Sequence, residues 1–206
     1  MKKHIKEQAM RAKIMKHAFE LMAKKGIDTV SMREIAAACR VTKPVLYYYF
    51  KNKEDLCRSI IGTSMTEFSE RINEEVKNGV PLKKICENSF RMHMNYFTSE
   101  PKRVLFFIHA MSYAAKGGKK GGQTFIGVKN ERKENFEKIA KQFEAKGEIP
   151  PGSSGDILHL TSAVTMHYMM NSLTGFKFNF DDDLPRRMNE IIFAGVKEFY
   201  KKSKNA

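Results

Sequence analysis

Polar and aromatic side chains that suit contact with nucleic acid cluster within residues 42–53. Thr42 stands at the expected start of a helix, where a hydroxyl group and free backbone N–H groups favour a phosphate oxygen. Lys43 follows in the first turn, and its ammonium can reach a phosphate or guanine O6 and N7. Tyr47 and Tyr48 carry hydroxyl groups that can donate to phosphate oxygens. These residue types at this spacing indicate a DNA-contacting element rather than a set of solvated side chains.

Two short helices joined by a tight turn are predicted to position this cluster. Ser31 is a good N-cap, and Glu34 three residues later completes a capping box for a helix over 32–38. Residues 39–41 form the turn. Helices of about seven residues joined by three or four residues are the helix-turn-helix plan.

The second helix is predicted to run from Thr42 to about residue 50. Pro44 fits its first turn, where a missing N–H costs little. Val45, Leu46 and Tyr49 are expected to face inward. A first helix over residues 7–24 must cover the apolar sides of both short helices.

Beyond residue 52 the apolar spacing stays helical to the end of the chain. Asn52 is expected to cap a long helix over 53–77, and strand-type alternation is absent. The pattern predicts an all-α fold of about nine helices, in which an N-terminal helix-turn-helix domain (1–52) is joined by the long fourth helix to a C-terminal helical domain (53–206). The further predicted helices cover 82–98, 101–115, 123–146, 156–173 and 184–202.

Charge is concentrated near the N-terminus. The chain has a formal net charge of +14, and residues 1–52 hold 12 Lys and Arg against 4 Asp and Glu. This favours a polyanion-binding N-terminal module. No apolar run approaches the length of a membrane span, and the N-terminus lacks the apolar block of a signal peptide, so we expect a cytoplasmic protein without membrane contact.

Residues for catalysis or metal binding do not stand out. The sequence has no evident carboxylate pair, Ser/His/Asp set or metal-ligand spacing, so we expect no catalytic residue, metal or cofactor. The three cysteines are interpreted as ordinary thiols. The glycine-rich loop at 117–122 lacks the order of a P-loop and is interpreted as a mobile connection.

The stretch from Thr29 to Leu56 resembles the DNA-binding domain of the TetR family of transcriptional regulators. The resemblance rests on an ordered set of residues, namely Thr29, Ile35-Ala36, Val41-Thr42, Leu46-Tyr47, Tyr49-Phe50 and Lys53-Glu54 with Leu56. It implies a double-stranded DNA operator as partner. The side chains that we expect to contact DNA are Thr29, Ser31, Arg40, Thr42, Lys43, Pro44, Tyr47, Tyr48 and Lys53.

Two residues depart from the family pattern. Arg40 stands where a glycine is usual in the turn, so either the turn tolerates a side chain or its geometry differs. Pro44 stands where a small residue usually approaches the DNA, and it removes a backbone donor.

The resemblance also implies a homodimer through the last two helices and a repressor released from its operator by a small apolar or amphipathic ligand. It further implies a cavity for this ligand among the C-terminal helices. The apolar residues that could line it are also common in ordinary cores, although methionine suits adaptable pockets. The candidate lining residues are Met94, Phe97, Phe107, Met111, Phe136, Met166 and Met170.

Two alternatives stay open at this point. An effector-independent DNA-binding protein would have a filled C-terminal core. An enzyme with an appended basic module would need a convergent polar constellation in the C-terminal domain.

Overall fold

The computed structural model describes residues 2–116, 134–174 and 181–203, and every regular element in these ranges is a helix. The described residues therefore confirm the all-α fold. The glycine-rich loop at 117–122 and the first part of the helix predicted over 123–146 lie outside them. The helices are α1 (Lys2–Lys25), α2 (Met32–Cys39), α3 (Lys43–Tyr49), α4 (Lys53–Lys77), α5 (Leu82–Ser99), α6 (Pro101–Lys116), α7 (residues 134–145), α8 (Ser154–Thr174) and α9 (Leu184–Ser203).

Local signals set most helix ends. α1 stops at Gly26, whose φ of 89° suits a residue without a Cβ, and the Gly26 N–H donates to the Met22 carbonyl. The predicted capping box of α2 is present, with Ser31 and Glu34 each accepting from the other's backbone N–H. Asn52 caps α4, because its side-chain oxygen accepts from the Asp55 N–H at 2.8 Å.

The described chain forms two compact units. The first holds residues 2–65 and 101–116, and the second holds 66–100, 134–174 and 181–203. Helix α6 thus belongs with the N-terminal helices, to which it adds Phe106 and Ala110. The division into functional domains at residues 52 and 53 stays a prediction.

The core of the first unit is built on the apolar stripe of α1. Ile14, Ala18 and Met22 are buried there, and the short helices α2 and α3 each add a buried residue, Ile35 and Leu46. Neither short helix could bury its apolar side alone, so α1 determines where α3 lies.

The second unit has its own core. α5 contributes Leu82 and Ile85, and α7 contributes Phe143. Ile157 from α8 and Val196 from α9 close it. This core holds together the two last helices, whose outer faces are described below.

Candidate nucleic-acid interface

Helix α3 is held by buried Leu46 and by half-buried Tyr49, which packs against the same core, and its other residues are exposed. Leu46 is fully buried, and the Phe50 N–H, just after the helix, donates to the Leu46 carbonyl. Val45 is exposed, so the expectation that it faces inward is wrong. A helix of seven residues turns only about twice, so a single residue can occupy the centre of its buried side.

The exposed face of α3 carries the cluster singled out in the sequence. Lys43 and Pro44 are exposed in the first turn. The Tyr47 side chain is 50% exposed, and Tyr48 is 72% exposed. The Lys43 and Tyr47 side chains both lie on this exposed face, within reach of solvent. DNA contact by these four residues stays a prediction, and their exposure is compatible with it.

Tyr48 has a neighbour on the first helix. Its hydroxyl lies 3.4 Å from Glu7 Oε1, and its ring meets the edge of Tyr49 at 5.1 Å between centroids. A carboxylate beside a phosphate-binding hydroxyl opposes phosphate binding, so Glu7 must release Tyr48 if that hydroxyl is to meet DNA.

The three serine and threonine residues expected to contact DNA differ in their present partners. Thr42 occupies the N-cap position of α3, yet its side chain makes no capping hydrogen bond. Thr29 Oγ1 donates to the Lys25 carbonyl at 2.7 Å, and Ser31 Oγ is committed to Glu34. Thr29 therefore closes the end of α1 and Ser31 caps the start of α2, while Thr42 keeps its hydroxyl free of the cap.

Arg40 keeps the turn geometry that glycine favours. Its φ and ψ are 56° and 45°, in the left-handed region, and within the described residues it is the one non-glycine residue with positive φ. The Arg40 N–H donates to the Ala37 carbonyl and the Val41 N–H to the Ala36 carbonyl, both at 3.0 Å. This pair of bonds is a Schellman motif. The turn therefore tolerates a side chain without changing its geometry, and the exposed guanidinium is free to meet a phosphate.

Lys53 differs from the other predicted contacts. Its side chain is half-buried and turned towards the backbone, with the ammonium 2.7 Å from the Ile27 carbonyl oxygen and 3.1 Å from that of Val30. The expected phosphate contact is therefore unsupported by the geometry.

Arg11 was not singled out by the sequence, yet it holds the far end of α3. One guanidinium nitrogen donates to the Tyr49 carbonyl at 3.0 Å, and another donates to Ser59 Oγ at 2.7 Å. The same group lies 4.4 Å from the centre of the Phe50 ring. Arg11 thereby joins α1, the end of α3 and α4. The one sequence signal for this role is that the charged Arg11 stands beside apolar Met10 on an amphipathic helix.

A carboxylate in the first turn of α2 is strongly stabilised in its charged form. The Ser31 backbone N–H donates to Glu34, and Lys25 and the Ser31 hydroxyl add further hydrogen bonds, which together lower the Glu34 pKa to about 2. Glu34 is thus ionised and committed to the capping box at neutral pH, so it adds no free acidic group to the exposed face of α3.

The residues expected to line a ligand cavity fall into three groups. Met94 and Phe97 are buried on α5. Phe107 and Phe136 are half-buried. Met111, Met166 and Met170 are exposed. The seven residues therefore do not form a common buried lining within one unit.

Aromatic side chains surround the buried part of α5. The His93 ring stacks on Phe68 at 4.4 Å with an interplanar angle of 10°, and Phe90 meets Tyr168 edge-on at 5.7 Å. A separate cavity of about 290 Å³ lies at the start of α5, with Leu82, Ile157 and Phe193 in its lining, and it includes none of the seven expected residues.

Within the described residues no group of three or more His, Cys, Asp or Glu side chains is placed to bind a metal ion. None of the helices described is both long and apolar enough to cross a membrane.

Comparison with known proteins identifies the helix-turn-helix segment. The sequence profile described as "Bacterial regulatory proteins, tetR family" matches residues 14–60, which contain α2, α3 and the start of α4. This segment belongs to the tetR family. This tetR-family segment holds all nine residues that the sequence predicts to contact DNA.

Two curated relatives come from Bacillus subtilis strain 168. The uncharacterized HTH-type transcriptional regulator YerO is 33% identical over 95 residues, which cover 41% of this chain and 32% of that protein. The fatty acid metabolism regulator protein is 34% identical over 70 residues, which cover 34% of this chain and 36% of that protein. The chain thus spans about a third of the length of these relatives. Both are described as regulators, not enzymes.

A solved tetR-like structure matches nearly the whole chain. The crystal structure of the transcriptional regulator FadR from Bacillus subtilis, in complex with stearoyl-CoA, superposes with a TM-score of 0.72 at 20% identity. The match covers 90% of this chain and 98% of FadR. At this identity the match shows the fold alone, a two-domain helical architecture that extends over nearly the whole chain.

Proposed function

We propose that this tetR-family protein is a DNA-binding transcriptional regulator, a repressor that leaves its operator when a small apolar or amphipathic effector binds its C-terminal helices. The exposed face of α3 carries this proposal. Lys43, Tyr47 and Tyr48 project from a helix that buried Leu46 holds against the domain. The cytoplasm, where bacterial DNA lies, is the proposed location.

DNA binding can be measured after selecting an operator from random duplex DNA. Fluorescence anisotropy at several salt concentrations should show affinity falling steeply with salt. Lys43→Ala should cost about 1–3 kcal/mol on the operator and relax the base preference. Equal losses on operator and random DNA would limit Lys43 to a phosphate contact, and binding without salt dependence would refute the proposed basic interface.

Homodimerisation through α8 and α9 is proposed from their exposed apolar faces. On α9, Ile191 and Phe199 are each 65% exposed, with exposed Gly195 between them. On α8, Met166 and Met170 are exposed about one turn apart, on one side of the helix. Apolar side chains around small residues suit close helix packing, and a dimer would pair two copies of α3 for the half-sites of one operator.

Sedimentation tests this arrangement directly. Ile191→Asp should produce a monomer and weaken operator binding, because a charge would then lie in the apolar contact. Asn95→Asp is the matched control, since Asn95 is exposed on α5, away from the proposed face. A wild-type monomer at micromolar concentration would contradict the dimer.

An acyl-CoA is the first effector to test. The B. subtilis relative is named for fatty acid metabolism, and the FadR structure holds stearoyl-CoA. In this chain, buried Met94 and Phe97 on α5, beside the aromatic group around Phe68, supply apolar surface that suits an acyl chain.

Calorimetric titration should compare stearoyl-CoA, stearate and coenzyme A, with operator affinity measured in parallel. The proposal predicts binding of an acyl ligand together with a weaker operator complex. If the protein binds its operator and no ligand of this series changes the operator affinity, the effector-independent alternative is favoured for this ligand class.

A further inference from the structure

The ammonium of Lys53, the first residue of α4, is surrounded by backbone carbonyl oxygens. Nζ lies 2.7 Å from the Ile27 oxygen, 3.3 Å from that of Asp28 and 3.1 Å from that of Val30. These three residues belong to the loop between α1 and α2. A lysine ammonium has three N–H donors, so three carbonyl partners occupy them all.

Helix α6 closes the other side of this ammonium. Nζ lies 5.3 Å from the centre of the Tyr113 ring, a cation–π distance, and the Tyr113 hydroxyl donates to Glu54. Lys116 pairs with Asp28 at 2.9 Å. The loop is therefore held by residues of both α4 and α6, with Lys53 at the centre.

The loop held by Lys53 determines where α2 and α3 are placed. It leads directly into Ser31, the N-cap of α2, and α2 continues through the Arg40 turn into α3. A displaced loop would move the capping box, and α2 and α3 would move with it. Contacts to DNA depend on placement at the scale of a single hydrogen bond.

We propose that Lys53 is a positioning residue, which fixes the α1–α2 loop to α4 and thereby sets the placement of α3, instead of contacting a phosphate. This inference rests on the proposed DNA-binding function. The N–H donors of Lys53 are occupied by carbonyl oxygens, so Lys53 makes no phosphate contact of its own and should contribute nothing to the phosphate part of counterion release.

Salt dependence separates a positioning residue from a phosphate contact. Each phosphate contact contributes about 0.9 to the slope of log affinity against log salt. Lys53→Gln should weaken binding at least about tenfold at every salt concentration while the slope stays unchanged. Arg40→Ala serves as the control, because loss of an exposed cation that meets a phosphate should make the slope shallower.

Lys53→Arg provides the sharper comparison. An arginine keeps the charge and binds phosphate well, but its planar guanidinium cannot direct three donors onto three converging carbonyl oxygens. Positioning predicts that Lys53→Arg loses affinity as Lys53→Gln does, and that the Ser31 amide exchanges faster with solvent in both variants. Retained affinity in Lys53→Arg, or a shallower slope in Lys53→Gln, would overturn the proposal.

A measurement on the wild-type protein covers variants that fail to fold. With ¹⁵N-labelled lysine, the Lys53 ammonium should exchange slowly in the free protein and keep its chemical shift when operator is added. Coupling of this ammonium to a DNA phosphorus, or fast exchange in the free protein, would overturn the inference. If wild-type protein fails to bind DNA at all, the proposed function fails, while the free-protein spectrum still tests the carbonyl contacts.

Discussion

Replacing Arg40 with glycine should stabilise the protein and weaken its DNA binding at the same time. A residue with a Cβ in the left-handed region costs about 1–2 kcal/mol, and Arg40 has a φ of 56°. Glycine removes this cost, but its greater conformational freedom lowers the free energy of the unfolded chain by about 0.4–1 kcal/mol. The expected net gain is about 0.5–1 kcal/mol, or a rise of about 1–4 °C in the thermal midpoint.

Arg40→Ala is the matched control for this prediction. It removes the guanidinium but keeps the strained backbone, so its stability should stay within about 0.5 kcal/mol of wild type. Both variants lose the same charge, so both should lower the salt slope of operator binding by about 0.9 per subunit.

Thermal unfolding and salt-dependent anisotropy of the three proteins decide the outcome. If Arg40→Gly is no more stable than Arg40→Ala, the left-handed backbone is not strained and the reasoning is refuted. If both variants keep the wild-type slope, Arg40 does not contact a phosphate.

Three further predictions concern buried or hydrogen-bonded side chains that lie outside the proposed DNA contacts. Arg11→Lys should lower the free energy of unfolding by about 1–2 kcal/mol, because an ammonium cannot reach both the Tyr49 carbonyl and Ser59 as the guanidinium does; Lys13→Ala, at an exposed position, is the control in urea unfolding. Glu34 has a folded pKa of about 2 against an ordinary value of 4.5, so its contribution to stability is present above pH 4.5 and is lost as the pH falls towards 2. Urea unfolding across this range should show a weaker pH dependence in Glu34→Gln, and an unchanged one would contradict the capping box. The pKa values of Cys57 and Cys86 are raised to about 12 by burial, and that of Cys39 is also raised, so an aromatic disulfide reagent at pH 8 should react with no thiol of the folded protein and with all three after unfolding. Rapid reaction of one thiol in the folded state would show that its site opens readily.

Local signals explain why the helix-turn-helix could be predicted from the sequence. The Ser31–Glu34 capping box, the terminal Gly26 and the Asn52 cap act over four residues or fewer, so the sequence contains all of their partners. The exposed face of α3 also followed from helical periodicity, apart from Val45. Which of two neighbouring apolar residues a two-turn helix buries depends on the helices packed against it.

Burial of the seven candidate ligand-lining residues was harder to predict because burial is not a local property. Met94 and Met166 both lie at helical spacing among apolar neighbours, yet the structure buries the first and exposes the second. An apolar stripe shows that a helix packs against something, but the same stripe can serve a core, a cavity or the surface of a second subunit. The exposed methionines of α8 fit the third use.

The role of a positively charged residue in the first unit is equally hard to predict from the local sequence. Lys43 and Lys53 lie ten residues apart, and both match an expected DNA contact, yet Lys43 is exposed and Lys53 is enclosed by three carbonyl oxygens. A charge count cannot separate them, because the partners of Lys53 are more than twenty residues away in the chain. Affinity alone cannot separate them either, since loss of either lysine weakens binding. The salt slope can, because only a cation that displaces counterions from DNA changes it.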